Sequence, residues 1–200
     1  MGKQRLFKTL PAVAALATSL VLAPAAIAQK HIKQNLSQMV ATSASIVSGK
    51  VTSVTDGFDD RNRPYTEITI HVGQDAKGKH SAGSEFTFRQ FGLLKPRSMG
   101  NGKVYLGVSP EGFANWVEGE QVIAFMNPDF GGGLRSTVGL EQGKFSVSND
   151  QVMNEVGNLG LFDGMDTSTL SDEERNVMTT PGPVDLGTFM GLVGKLAEVK

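Results

Sequence analysis

Apolar and polar residues alternate with a period of two through the middle of this chain, and with a period near 3.6 only close to its C-terminus. Thr66-Glu67-Ile68-Thr69-Ile70-His71-Val72 is the plainest case. Ile68, Ile70 and Val72 fall on one face and Glu67, Thr69 and His71 on the other, the pattern of a half-buried antiparallel strand. Upstream, Ser45 to Thr55 reads as a long strand, with Val47, Gly49 and Val51 of one parity and Ile46 and Val54 of the other. A glycine in mid-strand predicts a bulge or a sharp bend. Phe86 and Phe88 share a face within Glu85 to Phe91. Gln121 to Met126 is apolar on both parities, which predicts a central strand covered on both sides. Ser136 to Leu140 and Lys144 to Ser148 read as hairpin arms joined at Glu141-Gln142-Gly143.

Between these strands lie a turn-rich connection, Asp56 to Pro64, a polar loop, Gly73 to Gly83, and a long Gly/Pro-punctuated stretch, Gly92 to Gly119. That last stretch holds one short strand candidate, Lys103 to Val108. Gln151 to Ser168 lacks periodicity and reads as loop. Ser171-Asp172-Glu173-Glu174 is a capping box that opens a short helix, ended by Pro181-Gly182-Pro183. Leu186, Phe189, Met190, Val193 and Leu196 then recur at helical spacing behind Asp185 as N-cap, predicting a helix laid against the sheet. Short, evenly spaced strands followed by helices predict a mainly β fold. The expected layout is a polar lead-in over 29–42, an antiparallel OB-like barrel over 43–149, and loop and helices, including a C-terminal amphipathic helix, over 150–200.

The N-terminus changes the picture by placing the protein. Lys3, Arg5 and Lys8 precede an apolar run from Leu10 to Ala23, and Ala26-Ile27-Ala28 is the small-residue pattern of a signal-peptidase site. This reads as a secretory signal peptide, too short and Ala-rich for a membrane span. Cleavage after Ala28 would leave 172 of the 200 residues, about one domain. The expected location is periplasmic or extracellular, with no membrane insertion of the mature form, because no second apolar stretch is long enough to cross a bilayer. There is no cysteine, which removes a disulfide scaffold, thiol chemistry and a lipid-modified cysteine. The leader carries three of the 19 basic residues, leaving 16 against 20 acidic ones. That balance, with charges mixed along the chain, gives no support to binding of nucleic acid or an anionic membrane.

Candidate chemistry is sparse. Asp56, Asp59, Asp60 and Asn62 are hard-oxygen residues of the kind calcium takes, but their spacing is not the alternating pattern of a calcium loop. The same residues favour turn geometry at a hairpin tip. Three histidines without a zinc-ligand pattern, and serines without a nucleophile elbow, imply neither metal nor serine chemistry. Glu111, Glu118, Glu120 and Asp129 in and beside the long loop would be needed as a pair for a carboxylate-dependent hydrolase. Gly131-Gly132-Gly133 lacks the Lys-Ser/Thr of a phosphate loop and reads as a flexible hairpin loop. Phe91, Tyr105, Phe113 and Trp116 cluster around the long loop, where they would form either an interaction surface or a plug for the barrel end.

Ile46-Val47-Ser48-Gly49-Lys50-Val51, the turn after it and the strand ending at Val72 resemble the opening of an OB-like barrel of the netrin-like kind, which includes the tissue inhibitors of metalloproteases. Gly119 to Met126 and Val138 to Phe145 look like later strands in a group of exported bacterial proteins whose barrel is followed by a C-terminal amphipathic helix. The resemblance covers about Ser43 to Val147 and rests on hydrophobic pattern. Netrin-like inhibitors place an N-terminal cysteine on the target's zinc, and this chain has none, so that mechanism does not transfer. The expectation is a non-enzymatic binding protein without cofactor or metal, taking an envelope or extracellular protein or polysaccharide as partner. Phe113 and Trp116 are the expected anchors, with Arg97 and Glu118 as polar rim. The competing classes are a hydrolase of envelope polymers and a modulator of a secreted protease.

Overall fold

Fourteen residues rich in Val, Ile, Ser and Thr form strand β1 (Ser45–Phe58), and the rest of the sheet is laid out from it. The computed structural model describes residues 33–179 and 181–198, so the signal-peptide reading lies outside the described residues. β1 pairs on one side with β2 (Pro64–Asp75) and on the other with β6 (Gln121–Met126), both antiparallel. β3 (Glu85–Phe91) continues the sheet beyond β2, while β7 (Lys144–Ser148), β8 (Gln151–Asn154) and β9 (Val184–Asp185) continue it beyond β6. The resulting order is β3-β2-β1-β6-β7-β8-β9, every neighbour antiparallel. The two-residue strands β4 (Arg97–Ser98) and β5 (Val104–Tyr105) form a separate hairpin.

The fold is mainly β and antiparallel, and the named strands do not close into a barrel. Three isolated bridges lie beyond them, one of them joining Leu93 to Val108 within the long connection. Arg89 of β3 pairs in parallel with Leu134, and Met126 of β6 pairs antiparallel with Thr137.

The sheet is covered on both faces by different material. One face buries Ile46, Ile123, Phe125, Phe145 and Val152 beneath two helices, α1 (Leu36–Thr42) and α3 (Leu186–Glu198). Phe189 of α3 meets the Phe145 ring at 4.9 Å and the Phe125 ring at 6.3 Å. Burying a side chain of that size contributes about 2–3 kcal/mol. The opposite face packs Val47, Val51, Ile68, Ile70, Val72, Phe86 and Phe88 with Val122, Ala124 and Met126. Strand β6 therefore serves both cores, as its two apolar parities predict.

β1 also serves both, and Gly49 is where it bends. The register with β2 shifts between Ser48 and Gly49 and again between Val51 and Ser53. A Cβ at Gly49 would stand 2.1 Å from the backbone oxygen of His71. The second shift puts Val54 against the same cluster as Val47 and Val51, not on the opposite parity as strict alternation predicts.

Three local expectations differ from the structure. The expected hairpin at Glu141-Gln142-Gly143 is a 3₁₀ turn (Leu140–Gly143), and the hairpin lies one step later, between β7 and β8. Its two-residue turn is Asn149-Asp150, both at positive φ (50° and 58°), a geometry Asn and Asp adopt more readily than other side chains. Residues 151–154, read as loop, are therefore strand. The polar lead-in contains α1, opened by an Asn35/Gln38 capping box that frees Leu36, Met39 and Val40 for the core.

The capping box at the second short helix, α2 (Asp172–Met178), forms as expected. Ser171 N donates to Glu174 Oε2 at 2.8 Å, and Glu174 N donates to Ser171 Oγ at 3.2 Å. Lys195 of α3 adds an ammonium 2.6 Å from the Glu174 carboxylate, tying the two helices together. The Lys195 hydrogen bond, followed by that from the Ser171 backbone, holds the Glu174 carboxyl below its usual 4.5, against desolvation. A lowered carboxyl stabilises the fold fully above the unfolded-state pKa and stops doing so as pH falls through the folded one. Glu174→Gln is therefore expected to lower the melting temperature at pH 7 and to leave it unchanged once the pH is well below 4.5. Melting curves at the two pH values check this, and an equal loss at both would contradict it.

Candidate functional site

The residues singled out in the long connection do not come together. Its second half folds inward. Trp116 is 8% exposed and lies edge-on to Phe88 with ring centroids 5.2 Å apart. Its indole Nε1 donates to Gln90 Oε1 at 3.1 Å, and Gln90 Nε2 donates to the Ala114 carbonyl at 3.1 Å. Gln90 is itself buried, so this pair satisfies polar groups that burial would otherwise leave costly. Of the two roles open to Trp116, surface anchor or plug, it occupies the enclosed position. Phe113 is half-buried and Glu118 exposed. Arg97 pairs with Asp56 and lies 5.5 Å from the Phe58 ring. Gly119, next to Glu118, bonds to Val51, five residues along β1 from Asp56 and thus about 16 Å away.

A buried charge pair sits below Trp116. Lys144 Nζ lies 5.8 Å from the Trp116 ring, 2.6 Å from Glu120 Oε1 and 3.3 Å from Ser146 Oγ. The Ser146 hydroxyl also donates to Glu120 Oε1. That hydroxyl proton points at the carboxylate and away from the amine, the reverse of what a serine nucleophile activated by lysine requires. Glu120 is thereby committed to Lys144, while Asp129 is committed to its own loop through Gly131 N (2.6 Å) and Gly133 N (3.3 Å).

The acidic turn is equally self-contained. Asp59 Oδ1 accepts from Arg61 N (2.9 Å) and Arg63 N (2.8 Å), and Oδ2 from Arg63 Nε (2.6 Å). The Arg63 backbone N–H, acting first, holds the Asp59 carboxyl below its usual range. Asp56 takes Arg97 and the Leu94 N–H. Asn62 stands at φ 56°. Turn geometry accounts for this cluster. Among the described residues, no three His, Asp or Glu side chains stand close enough to share a metal ion.

A different arrangement does present free chemistry. The β1–β2 turn faces the loop that follows β6, and a cleft of about 400 Å³ lies between them. Arg61 and Arg63 line one wall, and Phe130, Gly131 and Gly132 the other. Arg89 of β3 joins them, its guanidinium 4.2 Å from the Tyr65 ring centroid and its Nε 2.8 Å from Glu67 Oε2. The glycine loop is not loose. Arg89 N donates to Gly133 O at 2.8 Å and Arg135 N donates to Arg89 O at 2.8 Å. Gly131, Gly132 and Gly133 all take positive φ, which leaves Phe130 turned outward and 68% exposed. Three guanidinium groups offer planar, multiple hydrogen-bond donors, and an open aromatic face offers stacking. The exposed Asp60 adds a carboxylate to the same cleft, while Asp59 holds Arg63 in place. Sequence reasoning passed over this site because its parts lie 70 residues apart, at Asp59 to Arg63 and at Asp129 to Gly133. The available signal was an aromatic directly before three glycines.

Comparison with known proteins gives no match: no family model, no curated protein and no solved structure is significantly similar to this chain.

Trp116 is the chain's single tryptophan, so its environment can be read directly. Its emission is expected at the short wavelengths of an enclosed indole, moving red on unfolding. Trp116→Ala is expected to cost about 3–5 kcal/mol in denaturant titration. Red-shifted native emission together with an undiminished unfolding midpoint would contradict the enclosed position.

Proposed function

We propose that this chain is an exported, non-enzymatic binding protein on an OB-like barrel, and that it holds an envelope or extracellular polysaccharide in the cleft between residues 59–63 and 129–133. Support for export comes from the basic, apolar and small-residue pattern of residues 1–28. Support for the barrel comes from β1 pairing with both β2 and β6, and from the two bridges that tie residues 134–137 to β3 and to β6. In OB-like barrels the loops after the first and fourth strands flank the ligand, which lies on strands two and three. On this reading the β1–β2 turn and the loop after β6 correspond to those two loops.

The observation that carries the reading is the composition of the cleft. Guanidinium donors, the Asp60 carboxylate and one exposed aromatic ring converge on a narrow polar space. Sugar rings present hydroxyls in the plane and an apolar face above it, and such a space satisfies both. A protein partner would call for a wider contact than this cleft offers. Guanidinium groups further favour sugars that carry carboxylates.

Arg61 and Phe130 are exposed, so replacing them leaves the core intact. With a panel of uronate-containing, peptidoglycan-derived and neutral oligosaccharides titrated calorimetrically, at least one acidic member is expected to bind. Arg61→Ala and Phe130→Ala should each weaken it by about tenfold, the effect of about 1–2 kcal/mol per contact, with melting temperature unchanged. Binding that both variants leave untouched, or no binding across the panel, would overturn the reading.

A further inference from the structure

The first half of the long connection is built unlike the second. Residues 92–108 leave the sheet at Gly92, whose N–H donates to Pro64 O, and form the β4–β5 hairpin. The hairpin has an inner and an outer face. Arg97 and Tyr105 are cross-strand partners on the inner face, where Tyr105 meets Phe58 edge-on at 5.0 Å and Arg97 pairs with Asp56. Ser98 and Val104 are the next pair, and alternation turns them, with Leu106, outward. Val104 is 56% exposed and Leu106 72%. Leu94 and Met99, on either side of β4, are about half exposed as well. Four large aliphatic chains on one small ribbon exceed the single scattered apolar residues that ordinary surfaces carry.

Charge distinguishes what covers this face. From Phe86 to Pro110 the chain contains four cations, Arg89, Lys95, Arg97 and Lys103, and no carboxylate. The chain as a whole is slightly acidic, so averaging over its length conceals this segment. Lys95 and Lys103 are exposed at the hairpin, and among the described residues no ion pair involves either. The outer face carries no aromatic ring or arginine of the kind that anchors protein interfaces. Aliphatic side chains flanked by lysines are what an interfacial membrane contact uses, the chains entering the headgroup boundary and the ammonium groups meeting lipid phosphates.

We propose that the β4–β5 hairpin rests on an anionic lipid surface by its outer face, with Leu106 and Val104 entering the headgroup layer, the exposed Leu94 and Met99 flanking them, and Lys95 and Lys103 contacting phosphates. This is adsorption by a loop: among the described residues no helix is long and apolar enough to cross a membrane. It is independent of the polysaccharide cleft, which uses different residues.

The absence of cysteine allows a single reporter to be placed anywhere. Ser98→Cys, on the outer face, carries a polarity-sensitive dye in the full chain. Ala82→Cys carries the same dye on the exposed β2–β3 loop, beyond the opposite end of β2. With vesicles of phosphatidylcholine containing phosphatidylglycerol, the Ser98→Cys label is expected to shift blue and the Ala82→Cys label to stay unchanged. Any affinity of the N-terminal leader is common to both. Adding Lys95→Gln and Lys103→Gln should weaken the response about tenfold or more, and raised salt should weaken it too. No shift at the hairpin, an equal shift at both labels, an equal response to pure phosphatidylcholine, or indifference to the lysine substitutions would each overturn the proposal. A shift produced only by an added protein would overturn it as well.

Discussion

The close approach of β1 and β2 at Gly49 is the constraint on which the architecture depends. One fourteen-residue strand lies between two cores on opposite faces of the sheet, and it reaches both by bending. Ile46 looks toward the helices, whereas Val47, Val51 and Val54 look toward the other cluster. Without a residue lacking Cβ at position 49, the backbone of β2 could not come as near as it does. On the far side of β2, β3 meets the loop after β6 through the bridge between Arg89 and Leu134.

That curvature separates structural polarity from available polarity. Lys144 and Ser146 both bond to Glu120 Oε1 beside Trp116, and Glu174 joins α2 to α3. These groups hold the fold. At the far end of β1 the polar groups are only partly used. Arg63 spends its Nε on Asp59 and Arg89 its Nε on Glu67, and Arg61 is exposed beside them. The hairpin of residues 97–105 is fastened to the same end through Asp56 and Phe58. Both proposed contacts thus lie around one rim of the sheet, each on loops braced by short-range hydrogen bonds.

Where one residue's local pattern decides the structure, the sequence was readable. Ile68, Ile70 and Val72 are buried as their alternation requires, Ser171 and Glu174 cap one another, and Phe189 and Val193 pack on the sheet. Gly49 marked its own bend. What escaped reading depended on competing or distant partners. Asn149-Asp150 forms the hairpin turn although Glu141-Gln142-Gly143 carries the glycine. Leu36, Met39 and Val40 are too short a run to declare a helix until the core receives them. Trp116 is enclosed because Gln90, 26 residues earlier, answers its indole N–H. The cleft was invisible for the same reason, since its walls meet only after β3 and the loop past β6 are joined. The proposal of export rests on the pattern of the first 28 residues alone.

The most direct test of the bent-strand account is the stability of Gly49→Ala, compared with Gly73→Ala on the neighbouring strand. A Cβ at 73 would make ordinary contact with Ser48 O at 3.4 Å, whereas one at 49 would collide with His71 O at 2.1 Å. Gly73→Ala is expected to melt within a few degrees of the wild type. Gly49→Ala is expected to lose about 3 kcal/mol or more, on the scale of severe overpacking, or to fail to fold. If Gly49→Ala melts with the wild type, β1 does not bend by close approach at that residue, and the division of the sheet into two cores needs another cause.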